Sequence, residues 1–146
     1  MAHHYQEKIV ALWSVFLLGL LFHTQLGLMP LFHGINVIVS QSQNMEAIAP
    51  IMWSMLIFFV LPMTAIIGTT LTNNQRYRVI HFGFTVLYSL LNLSHLIADL
   101  MVQPIIWYQI VLMLMLLIIG LLINLVAWQW MRDGRNTHMK DRERFT

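Results

Sequence analysis

VIHFGFTVLYSLLNLSHLIADLMV, residues 79–102, decides how this chain folds. It is long and apolar enough to cross the roughly 30 Å hydrocarbon core of a bilayer as one helix, which takes about 20 residues. Yet it carries His81, Thr85, Tyr88, Asn92, His95 and Asp99, at offsets of 0, 4, 7, 11, 14 and 18 residues from the first. At about 100° per residue, these six stay within roughly 40° of one line along a helix. A polar seam therefore runs the length of a lipid-soluble rod. Such groups are costly in hydrocarbon, so the seam has to face a bundle interior, a cavity or a bound group.

Other helices must supply that interior, and the rest of the chain offers them. Of its 146 residues, 58% are hydrophobic and 10% charged, with a mean hydropathy of +0.69. That is the balance of an integral membrane protein rather than a soluble domain. Three more apolar stretches reach spanning length: Ile9 to Met29, Pro50 to Leu71 and Ile105 to Met131. The first is too long for the apolar core of a signal peptide and no small-x-small site follows it, so it is expected to remain in the mature protein. Trp13, Trp53, Trp107, Trp128 and Trp130 lie near the expected ends, where indole rings favour the interface.

Charge placement orients the spans. Lys8 precedes the first, Arg76 and Arg78 lie between the second and third, and Arg132, Arg135, Lys140, Arg142 and Arg144 follow the fourth, which accounts for all 8 basic residues. By the positive-inside rule both termini and the second loop are cytoplasmic, in the inner membrane of a cell or another energy-transducing membrane. The expected fold is an all-α, antiparallel up-down four-helix bundle over residues 1–132, followed by a polar cytoplasmic tail over 133–146. No repeat or linker interrupts it.

In this topology the first and third spans run in the same direction. His23 and His95 each fall about six residues before the outer end, roughly 9 Å deep at 1.5 Å per residue. Asp99 lies one turn beyond His95 on the same face, and His33 follows the break expected at Pro30. His23, His33, His95 and Asp99, with Glu46 as an addition, are the candidate ligands of a metal ion such as Zn, Fe, Mn or Cu. His23 and His95 are alternatively the axial pair of a haem, with Gly19 one turn below His23 giving room for a macrocycle. The His81 to His95 spacing resembles the two-histidine helices of b-type cytochromes, which hold two stacked haems. That resemblance covers one helix and implies haem b as cofactor and electron transfer as activity. A magnesium tetrapyrrole held by a single histidine is a related case.

Two readings need no cofactor. His81, Tyr88, His95 and Asp99 are spaced so that water can bridge them into a proton or small-solute path. Alternatively, Thr85, Tyr88, Asn92 and Asn124 act as interhelical glue in an accessory or assembly subunit, whose partners are the lipid bilayer and other membrane subunits or a second copy. His81, at the cytoplasmic end, has Thr69 and Thr70 as expected neighbours.

Several classes are excluded or disfavoured. There is no cysteine, which removes disulfides, thiolate metal sites and thiol catalysis. The formal net charge is only +2 and the basic residues do not interleave with aromatics, so nucleic acid is not an expected partner. No phosphate loop or nucleotide fingerprint occurs. Ser94 and His95, adjacent on one helix, diverge by about 100° and cannot work as a hydrolytic pair. The 11 Met residues are scattered through the spans as apolar filler.

Overall fold

Four helices make up the described part of the molecule. The computed structural model describes residues 2–36 and 45–143. Helices α1 (Ala2–Phe32), α2 (Met45–Leu71), α3 (Gln75–Met101) and α4 (Trp107–Glu143) follow one another without strands among the described residues. Each is long and apolar enough to cross a membrane. The chain is an all-α four-helix bundle of the multi-pass membrane class.

The helices outrun the apolar stretches that announced them. Pro30 does not break α1, which continues to Phe32. So close to the helix end a proline removes one ladder bond and little else. Its own carbonyl accepts from the His33 and Ile35 amides, 3.0 Å each, and these close the helix. At the other end of the chain α4 passes the expected span boundary and stays helical to Glu143. Residues 37–44 and 144–146 and the side chains beyond Arg135 lie outside the described residues.

The core comes from three regular stripes. On α3 the seam is buried at His81, Thr85, Tyr88, Ser89 and Asn92. On α1 the buried residues are Gln6, Ile9, Trp13, Phe16, Leu20 and His23, which repeat the same alternation of three and four. On α4 they are Met113, Leu116, Gly120, Ile123, Ala127 and Trp130. A four-three repeat keeps one seam turned toward a neighbouring helix, the geometry of coiled-coil packing. Accordingly α4 packs chiefly against α3 and α1, and α1 against α2. Helix α2 sits at the side and buries little beyond Pro62, Ala65 and Thr69.

Two of the five indoles turn into the bundle. Trp13 is 1% exposed and Trp130 fully buried, whereas Trp53 and Trp107 are exposed. Trp13 lies on the α1 stripe, edge-on to Phe16 and Tyr88 at 5.6 and 5.5 Å between ring centres. Position along the span gave the level, but the face of the helix decides what an indole meets.

The end of the bundle that gathers Lys8, Arg76, Arg78 and Arg132 is laced by side-chain bonds to helix carbonyls. Gln6 donates to the Thr69 carbonyl (2.7 Å), one of those the end of α2 leaves without an amide. Gln75 donates to the Met131 carbonyl (3.0 Å). Arg78 donates to the Trp130 carbonyl (2.9 Å) and to Asn73 (2.7 Å), and its guanidinium carbon lies 5.1 Å from the centre of the Trp130 ring. Gly134 lies opposite: a Cβ there would meet the ends of the Gln75 and Arg78 side chains, which would have to shift. At Gly68 a Cβ would fall 2.5 Å from the Tyr77 hydroxyl, which donates to the Ala65 carbonyl at 2.8 Å.

In the middle of the seam Asn124 of α4 donates to Ser89 of α3 at 2.9 Å. Interhelical bonds of this kind in membranes average about 0.6 kcal/mol and reach about 1.7. Asn124→Ala is therefore expected to lower stability by about 0.6 kcal/mol, measured by denaturant unfolding in mixed micelles. A loss far above 2 kcal/mol, on the order of a core truncation, would show that this pair is not simple glue.

Candidate metal centre

At the end opposite the basic residues, α1 and α3 bring three ligand groups together. His23, His95 and Asp99 each offer one ligand atom, all within 4.8 Å of one another. The regular stripes explain why. His23 closes the buried line of α1, and His95 and Asp99 close the seam of α3, one turn apart. The two imidazoles lie edge to face, 5.5 Å between centres at an interplanar angle of 80°. They share a depth, as the sequence predicts.

The separations are informative. His23 Nε2 lies 3.7 Å from Asp99 Oδ2, and His95 Nε2 lies 3.6 Å from Asp99 Oδ1. A hydrogen bond would require about 2.7–3.2 Å, so the acid is not simply bonded to either ring. Ligands held about 2.0–2.2 Å from a tetrahedral ion lie about 3.3–3.6 Å from one another. The His95 separation falls at the upper edge of that range and the His23 separation just beyond it, each to a different oxygen of the carboxylate.

Burial differs across the group. The His23 side chain is 10% exposed, Asp99 22% and His95 54%. His23 Nδ1 and Asp99 Oδ2 are buried atoms with no hydrogen-bond partner among the described residues. Buried polar atoms are nearly always paired, and each one left over calls for an explanation. His23 and His95 also line a cavity of about 280 Å³, together with Leu20, Thr24, Ser54, Met55, Phe58 and Phe59. Asp99 faces a smaller space of about 60 Å³, beside Val102, Pro104, Ile106, Gln109 and Ile110. The three ligand groups thus stand between two openings.

Two other candidates stay apart. His33 is exposed on the turn that follows α1, and Glu46 is exposed at the start of α2. Neither joins the His23, His95 and Asp99 group. For His33 the cause is local: α1 continues through Pro30, so the turn begins beyond the helix and does not fold back over its end.

Along the central seam, hydroxyls bond to helix carbonyls and an imidazole accepts from an indole. Tyr88 donates to the Phe58 carbonyl of α2 at 2.9 Å, and Thr85 to the Phe82 carbonyl of its own helix at 2.8 Å. His81 is 2% exposed, and its Nε2 accepts from the Trp13 indole at 3.2 Å. Thr69, one of its expected neighbours, pairs instead with Tyr77 at 3.3 Å. Trp13, Trp130 and Tyr77 surround the His81 ring at 5.9–6.4 Å between centres. Reading α3 alone missed Trp13 and Ser89. The repeat on α1, with Trp13 on the same line as His23, is the signal that could have found the first.

No protein-family model, curated protein or solved structure matches the chain. Function is therefore argued from the site.

Proposed function

We propose that this multi-pass membrane protein binds a divalent transition-metal ion through His23, His95 and Asp99, and works in metal handling or membrane electron transfer. The observation that carries this reading is the spacing of the three groups: too long for direct hydrogen bonds, and close to the ligand separations around one small ion. Two imidazoles and a carboxylate suit Zn, Fe, Mn or Cu. Three protein ligands leave at least one coordination position for water or a small ligand, as in sites that do chemistry rather than only brace a fold. The cavity lined by both histidines gives such a ligand room.

A haem held by His23 and His95 is less well supported. The Asp99 carboxylate reaches toward both Nε2 atoms, at 3.7 and 3.6 Å, and competes for the space a macrocycle ligated by both rings would need. His81 is already bonded to Trp13 through Nε2, which weighs against a second haem there.

The test is metal analysis and an absorption spectrum of the full chain in mild detergent, followed by titration with Co²⁺ as a coloured stand-in. One ion per chain, with visible Co²⁺ bands of a nitrogen and oxygen site, is the expected result. A reducible Soret band would replace the ion with haem. Neither signal, with another membrane protein stably co-purified, would make the chain an accessory subunit.

A further inference from the structure

An ion can approach His23, His95 and Asp99 from three sides, and the described residues leave one of them open. Toward the basic end, the space between α1, α3 and α4 is filled by Phe16, Leu20, Tyr88 and Leu116, none more than 7% exposed. Packing of that density leaves no channel wide enough for water.

The flank is closed by solvation rather than by contact. The hollow of about 280 Å³ lined by both histidines opens there beside Met55, which is 42% exposed. A second hollow, of about 200 Å³, lies between Leu61, Thr64 and Ala65 of α2 and Tyr77, Ile80 and Phe84 of α3. Both open on hydrocarbon once the helices span a bilayer, and a bare ion does not arrive through hydrocarbon.

The third side is the end opposite the basic residues. Asp99 lines an opening there with Val102 and Pro104, at the turn between α3 and α4, and with Gln109. At about 60 Å³ this space takes only a few water molecules. An ion that crosses it sheds part of its hydration shell and needs a polar group in exchange. Gln109 is placed to supply one. A Cβ at Gly27 would lie 3.4 Å from the Gln109 amide nitrogen, and Gly27 stands one turn beyond His23 on the same face of α1. The side chain thus reaches from α4 to α1 just outside the imidazole.

Charge favours the same route. The basic end holds all 8 Lys and Arg against Glu7, Asp133, Asp141 and Glu143, and stays net positive. The other end holds Glu46 and Asp99 and no Lys or Arg. A divalent cation is drawn to the second and repelled by the first.

We infer that the ion reaches His23, His95 and Asp99 from the end opposite the basic residues, past the Gln109 amide, and leaves by the same door. The inference rests on the metal reading of that group. The protein then takes its ion from one compartment and gives it no passage to the other.

The test uses the full chain in phosphatidylcholine vesicles, with orientation scored by external trypsin, which cuts the Lys- and Arg-rich tail only where the basic end faces out. Co²⁺ added outside should load only the chains whose tails are protected, as read from the visible Co²⁺ bands. A divalent-cation ionophore should then load the rest. Loading of the tail-exposed chains first, or of every chain without ionophore, overturns the inference. Chains that bind no Co²⁺ even in detergent end the metal reading, and this inference with it, which is a separately visible failure. In detergent, Gln109→Leu should slow Co²⁺ loading about tenfold, the worth of one neutral polar contact, and leave the bound spectrum unchanged. Gln109→Glu, which restores an oxygen, should load at least as fast as the parent. An unchanged rate in Gln109→Leu, or an equally slow Gln109→Glu chain, removes Gln109 from the route.

Discussion

Asp99→Ala is expected to weaken Co²⁺ binding by at least about a hundredfold, since even groups that merely support a ligand cost about 10–100-fold when removed. His23→Ala and His95→Ala should each do the same, because three groups are few enough that no pair among them holds the ion alone. His33→Ala should leave affinity within about twofold, which separates ligand loss from a general effect of removing imidazoles. These affinities are measured by titration of the visible Co²⁺ bands. Binding that survives in Asp99→Ala, or that falls equally in His33→Ala, would remove the basis for a centre at His23, His95 and Asp99.

The second large effect is expected at the place where Tyr88 meets α2. Pro62 has no amide proton, so the Phe58 carbonyl four residues earlier loses its ladder partner. In hydrocarbon that acceptor has no water to turn to. The Tyr88 hydroxyl takes the missing amide's role, donating to Phe58 at 2.9 Å, while the two rings stack at 5.0 Å between centres. Tyr88→Phe is expected to destabilise the protein by about 1–3 kcal/mol, the cost of orphaning a buried acceptor. In a Pro62→Ala background, where the backbone amide is restored, the same change should cost only about 0.5–1 kcal/mol. Denaturant unfolding in mixed micelles gives both values. Equal costs in the two backgrounds would mean that the hydroxyl does not stand in for the proline's lost bond.

These two cases mark what the sequence alone could and could not reveal. Hydrocarbon imposes so strict a rule on composition that four spans are legible from hydropathy, and the rotation of α3 is legible from the offsets of its polar residues. The meeting of His23 with His95 and Asp99 follows from equal depth in helices that run in the same direction. What periodicity on one helix cannot supply is the partner across the interface. Nothing in α3 announces that His81 would meet Trp13, or Ser89 meet Asn124. For Trp13, depth and face are independent coordinates, and only the first was legible in the sequence. Pro30 misled for another reason: it removes only its own amide bond to the Leu26 carbonyl, and the His33 and Ile35 amides still close the helix on the Pro30 carbonyl.

Helix α2 contributes little to the packed core, yet Ser54, Met55, Phe58 and Phe59 close one chamber and Leu61, Thr64 and Ala65 close the other. Pro62 falls just inside the second of those groups, after Leu61. The molecule is thus a three-helix frame with a single shutter across two rooms. The Tyr88 hydroxyl, bonded to the Phe58 carbonyl, fastens that shutter to the frame where the two rooms adjoin.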